Sequence, residues 1–172
     1  MKMLTTQLSG LLTRLAEREQ FSIEETARLL AQAIASDGRI IFYGVDELAA
    51  VTLRAQLGEE KIQSVIPYEK GMELHHTDRV LIMSKREHPE EALQLAKQLH
   101  DAFIPFAVIA SAKEEDDALA QWAYTYVSTD ITRGLLPTDT VGRAVYVDLI
   151  ATLFIFEAMK QMMDEMLLDF EM

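Results

Sequence analysis

The residues best placed to do chemistry fall in two short runs, Gly44-Val45-Asp46-Glu47 and Ser84-Lys85-Arg86-Glu87-His88. Each follows an apolar run, Arg39 to Tyr43 in one case and Arg79 to Met83 in the other, and each precedes a stretch with helical spacing. A loop that enters a helix meets unpaired backbone N–H groups and the positive end of the helix dipole, so it suits an anion. Ser84 would supply a hydroxyl donor, Lys85 a point charge and Arg86 a fork that grips phosphate through two parallel hydrogen bonds. Against this, Glu87, Glu90 and Glu91 bring negative charge to the same turn, which compensation of a helix dipole alone would also place there. An anion site and a solvated helix start therefore both stay open. His88 is of the type that titrates near neutral pH, although a cap or surface role is the plainer reading.

The remaining candidates carry less. His75-His76, with Glu73 and Asp78, suggests a metal, but adjacent side chains on a loop diverge and no second ligand pair has a recognisable spacing. No metal is expected. His100 closes a helix, where dipole compensation accounts for it. Ser9, Ser64 and Ser111 lie in no Gly-x-Ser-x-Gly context, so no hydrolase elbow is present. The lone Gly44 makes no dinucleotide fingerprint and no Walker lysine follows a glycine-rich loop, so no cofactor is expected. Tyr43 reads as a core or pocket wall and Trp122 as core.

Bulk composition narrows the class. The 172 residues are 49% hydrophobic and 26% charged, an ordinary globular mix that fits one domain. Sixteen basic against 28 acidic residues give a net charge of −12, which repels phosphate backbones and disfavours nucleic acid. With no cysteine, thiol catalysis and Cys-ligated metals are excluded. Met1 to Thr6 has neither a long apolar core nor a small-residue cleavage site, so no signal peptide is expected. The apolar stretch Leu149 to Phe156 is far short of the roughly 20 residues a membrane span needs. The expectation is a soluble, cytoplasmic protein that does not engage membranes.

These loops need elements to position them. Leu4, Leu8, Leu11, Leu12 and Leu15 predict a first amphipathic helix, and Ser22 with Glu25 a capping box that opens a second. The pair should fill residues 3–36 and end at Gly38 as a C-cap. Strands are predicted at 39–43, 61–66, 79–83, 105–109 and 124–127. Between them fall a helix capped by Asp46, a helix with Pro89 at its first position running to Asp101, and a short one led by the acidic run Glu114 to Asp117. A turn-rich stretch to Asp139 precedes one long helix over 139–169. Strand–helix alternation with short links implies an α/β fold, a five-stranded parallel sheet with right-handed crossovers and helices on both faces. For strand order 2-1-3-4-5, a ligand belongs between the first and third strands, where the order reverses. The last helix is apolar nearly all round, and Met159, Met162, Met163 and Met166 extend that surface. It reads either as a central core helix or as the seam of a homodimer, the reading preferred.

With those residues placed, the chain resembles the sugar isomerase (SIS) domain family, and the phosphoheptose isomerases within it. That family has a Gly-Asn-Gly-Gly-Ser-Ala-Ala-like turn after the first strand, matched here at Gly44, Ala49 and Ala50. It has a Ser-Thr-Ser-Gly-Asn-Ser-like loop after the third strand, whose hydroxyls and backbone hold a sugar phosphate, matched at Ser84. Leu136 to Thr140 is similar to the family's link to its last helix. The resemblance implies an SIS-like fold and a ligand site of Gly44, Val45, Asp46, Glu47, Ser84, Lys85, Arg86, Glu87 and His88. It also implies a small-molecule sugar phosphate or other anion as partner. The isomerases use a glutamate late in the helix after the first loop, near Glu59 and Glu60 here, and a histidine on the last helix, where this chain has none. Binding without ordinary ketose–aldose isomerisation is the reading that follows, with a metabolite sensor or an emptied structural dimer as the alternative.

Overall fold

A computed structural model describes residues 1–171 except 63, 86, 87, 112–116 and 140, without the side chains of 169–171. In order, the elements are α1 (Lys2–Ala35), β1 (Ile40–Gly44), α2 (Ala49–Leu57), β2 (Val65–Pro67), β3 (Arg79–Met83) and α3 (Glu90–Asp101). There follow β4 (Phe106–Ala110), α4 (Ala118–Trp122), β5 (Thr125–Ser128), β6 (Leu136–Pro137), β7 (Arg143–Ala144) and α5 (Asp148–Glu171). β1 to β5 form one parallel sheet in the order β2-β1-β3-β4-β5. The α/β fold class and the strand order are those the sequence implies.

Alternation along each strand feeds two cores. Ile40, Phe42, Leu81, Met83, Ala107 and Ile109 point to the face covered by α1, α2 and α5. Ile41, Val80, Ile82, Phe106 and Val108 point to the other, covered by α3 and α4. Both strand faces are thus dry, which is why β1, β3 and β4 read as continuous apolar runs rather than alternating ones. α3 buries Ala92, Leu95, Ala96 and Leu99, a single stripe at spacings of three and four.

Several local expectations need correction. The two N-terminal helices are one. No breaker separates the segments, and Leu15, Glu19, Ile23, Thr26 and Leu30 run as one buried stripe through the supposed junction. Ser22 does not cap; its carbonyl accepts the Thr26 hydroxyl at 2.8 Å. The left-handed residue closing α1 is Asp37 (φ 53°), not Gly38, with Gly38 N–H donating to Ala33 C=O at 2.7 Å. Gly38 is needed for a different reason: a Cβ there would lie 2.1 Å from the Thr77 carbonyl oxygen. Asp46 caps nothing by its side chain and instead opens a 3₁₀ turn, Asp46–Leu48. β2 lies later than expected, and Pro89 is the N-cap rather than the first helical residue. The last helix starts at Asp148, because an antiparallel hairpin, β6 with β7, occupies the chain before it. Arg143 pins that hairpin, donating to the carbonyls of Gly134 and Leu135, each at 2.6 Å.

α5 is covered within the chain over much of its girth. Ala151, Ile155, Phe156, Met159 and Met163 are buried against α1 and α2. Phe156 meets Phe42 edge-on at 6.3 Å and lies under the Arg54 guanidinium. No helix among the described residues is long and apolar enough to cross a membrane.

Candidate functional site

The loops after β1 and β3 meet at the carboxyl edge of the sheet, where the strand order reverses. Gly44 is required there: a Cβ would come within 2.6 Å of the Leu48 carbonyl and the Ala49 nitrogen. The chain thus folds back tightly into α2, and Val45 N–H donates across to Met83 C=O at 2.9 Å. Beside this turn opens a cavity of about 570 Å³, lined by Tyr43, Gly44, Asp46, Glu47, Tyr68 and Leu149 among others. Tyr43 is one of its walls, packed edge-on against Tyr68 and donating to Glu91 at 3.2 Å. Burial, with Glu91 close by, pushes its phenol up to about 12.

Lys85 does not stand free. Its ammonium lies 2.7 Å from Glu47 and 3.9 Å from Asp46. This contact raises the lysine's pKa and lowers that of Glu47. The charge expected to receive an anion is answered by the neighbouring loop. Arg86 and Glu87 lie outside the described residues.

Ser84 and His88 are brought together, with a third residue absent from the expected set. Ser84 is buried, and its N–H continues the ladder to Ile109 C=O. Its Oγ lies 3.0 Å from His88 Nδ1, and His88 Nε2 lies 3.2 Å from Asp117 Oδ2. Asp117 caps α4 through Leu119 N–H and Ala120 N–H, and takes the Tyr126 hydroxyl at 2.9 Å. A carboxylate so placed only accepts, so Nε2 carries the hydrogen, and in the neutral tautomer that this selects Nδ1 turns a lone pair toward Ser84. The Ser84 hydroxyl then donates to His88. Asp117 was legible only as a helix cap, since it stands 29 residues from His88 in sequence. Ser111, set aside as lacking an elbow, donates to buried Asp148 at 3.1 Å at the start of α5.

The other candidates lie elsewhere. α2 runs away from the carboxyl edge, so Glu59 and Glu60, exposed beyond its end, sit at the opposite end of the sheet. Asp78 is held by Arg39 and cannot serve His75 or His76 as a co-ligand. His100 stacks on half-buried Trp122, with ring centroids 5.7 Å apart.

Sheet order, crossover pattern and the β1/β3 switch point define the class: this is the fold of the sugar isomerase (SIS) domains. A phosphoheptose isomerase from Francisella tularensis matches it with a TM-score of 0.61 at 11% identity, over 94% of each chain. The Vibrio vulnificus NanR protein, solved in complex with ManNAc-6P, matches with a TM-score of 0.58 at 14% identity, over 94% of this chain and 65% of that one. The chain itself belongs to the family described as domain of unknown function DUF2529, whose model matches residues 1–167. The uncharacterized protein YwjG of Bacillus subtilis (strain 168) is 29% identical over 171 residues, 99% of both chains.

Proposed function

We propose that this protein binds a phosphorylated sugar or related carbohydrate derivative at the β1/β3 switch point. Ser84, the Gly44–Glu47 turn and His88 would serve as its ligand-binding residues. The observation that carries the reading is the Ser84–His88–Asp117 chain at the end of β3. It sets a buried serine hydroxyl and an imidazole side by side, next to the loop that enters α3. A phosphate arriving there meets a hydroxyl and an imidazole, two side chains able to hydrogen-bond its oxygens. The sugar-phosphate ligand named for NanR and the phosphoheptose isomerase of the same fold support that ligand class.

Catalysis is not part of the proposal. α5 carries no histidine, and Glu59 and Glu60 lie at the far end of the sheet. A positioned acid or base is worth roughly 10²–10⁴-fold, so the ordinary isomerase rate is lost. The Lys85–Glu47 pair favours a second reading, an emptied pocket on a structural dimer or sensor, because it neutralises the loop's described cation.

Calorimetry with fructose 6-phosphate and sedoheptulose 7-phosphate tests the binding reading. Ser84→Ala should weaken binding about tenfold or more, the equivalent of losing one charge-assisted hydrogen bond of roughly 1.5–3 kcal/mol. Unchanged affinity places the ligand elsewhere, and no binding by the wild type favours the emptied pocket. Isomerase assays on the same sugars should show little or no turnover. Rates of about 1–10³ per second would overturn the non-catalytic reading.

A further inference from the structure

Four of the eight arginines among the described residues are answered by carboxylates. Arg18, Arg28, Arg39 and Arg54 each have one within 2.6–2.9 Å. Three others converge on a cleft of about 300 Å³ beside the carboxyl end of β5: Arg14 from α1, Arg133 from the loop after β5, and Arg143 from β7. Arg143 is spent on backbone carbonyls, so its charge is fixed in place yet unneutralised. Arg14 and Arg133 have neither carboxylate nor hydrogen-bond partner among the described residues. Arg14 lies back over Gly10, where even a Cβ would come within 3.3 Å of its guanidinium. Asp130 is the sole carboxylate among the described lining residues, and Arg18 already holds it at 3.1 Å.

From this convergence we infer a second anion-binding site, one that takes a phosphate-bearing small molecule. A chain of net charge −12 gains nothing in solubility or dipole compensation by grouping unpaired arginines. At physiological ionic strength charges are screened over about 8 Å, so the distant acidic surface does not cancel this local field. Guanidinium forks match the spacing of phosphate oxygens and grip them through paired hydrogen bonds. Gln7 and Thr132 add neutral polar groups to the same wall. The volume stands at the small end of ligand pockets, about 300–1,000 Å³, which suits a phosphate or diphosphate group rather than a large cofactor. β4 lies between β5 and β3 in the sheet, so this cleft is separate from the Ser84 loop and the inference does not rest on the function proposed above.

The probe is inorganic pyrophosphate, followed by calorimetry and by the arginine Nε–H resonances in a nitrogen–proton correlation spectrum. Saturable binding is expected, with the Arg14 and Arg133 resonances shifting together. Arg14→Gln combined with Arg133→Gln should weaken the binding that shifts these resonances at least tenfold, while Lys97→Gln, an exposed surface change on α3, leaves it unchanged. Both arginines are exposed, so the double variant keeps its circular dichroism and melting temperature. Equal affinity in the double variant, loss of binding in Lys97→Gln instead, or no saturation at millimolar pyrophosphate would each overturn the inference.

Discussion

Replacing Asp78 with asparagine perturbs the clamp that joins the entries of β1 and β3. The Asp78 side chain is 1% exposed and accepts from Arg39 Nε at 3.0 Å, Arg39 Nη2 at 2.6 Å, Arg39 N–H at 3.2 Å and His75 N–H at 2.7 Å. Asparagine keeps the shape but aims an NH₂ group at donors and strips the guanidinium of its counter-charge. Breaking a buried pair costs roughly 3–5 kcal/mol. Because 34% of the Arg39 side chain is exposed and water reaches it, the low end, about 3 kcal/mol, applies. For a chain of this length each kcal/mol moves the melting temperature by about 2–4 °C, so Tm should fall by about 6–12 °C. Burial acts to raise the Asp78 pKa, but the hydrogen bonds from Arg39 and from the His75 and Arg39 N–H groups outweigh it and hold the carboxyl below its ordinary 3.8. A depressed carboxyl stabilises the fold above its unfolded value and loses that contribution as pH falls through the lower folded value. The two melting curves should therefore stay apart at neutral pH and converge only below pH 3.8. Scanning calorimetry across pH checks this, and sugar-phosphate affinity should hold, since Asp78 stands at the opposite end of β3 from Ser84. A Tm within about 2 °C of wild type at pH 7 would refute the reasoning.

Two further outcomes follow from the same geometry. Glu47→Gln should release Lys85, tighten sugar-phosphate binding several-fold and steepen its salt dependence, while costing at most about 1 kcal/mol because both partners are more than a third exposed; calorimetry showing equal or weaker affinity refutes it. If the half-buried Leu153 packs between subunits, Leu153→Asp should yield monomers or insoluble protein; light scattering that finds the wild type already monomeric at micromolar concentration removes the premise.

The sheet was legible because strands buried on both faces are written as unbroken apolar runs, and Ile40 to Tyr43 and Val80 to Met83 are such runs. The β6–β7 hairpin was not, since two-residue strands such as Leu136–Pro137 carry no periodicity and are held by Arg143 and backbone bonds. Ser84 and His88 could be chosen from their place after a strand and before a helix. Asp117 could not be joined to them, because that contact exists only once α3 and α4 pack side by side. The sign of Lys85 was plain, but its partner Glu47 arrives from another loop, and pairing across loops leaves no local signature.

α1 has 34 residues, so at about 1.5 Å per residue it spans roughly 51 Å, whereas a five-residue strand spans about 17 Å. The helix must therefore overhang the sheet. All of its fully buried side chains lie from Leu15 onward; before that only partly buried residues such as Leu8 and Leu11 join the core. Its start at Met1 has no side-chain cap and no acidic residue in the first turn. Amide protons along one unbroken helix should consequently exchange on two scales: slowly from Leu15 to Ala35, at the rate of global opening, and quickly from Lys2 to Gly10, through local fraying. The break that the capping-box pattern places near Ser22 has no counterpart in the geometry, but a boundary in cooperativity should lie one to two turns earlier, near Leu15.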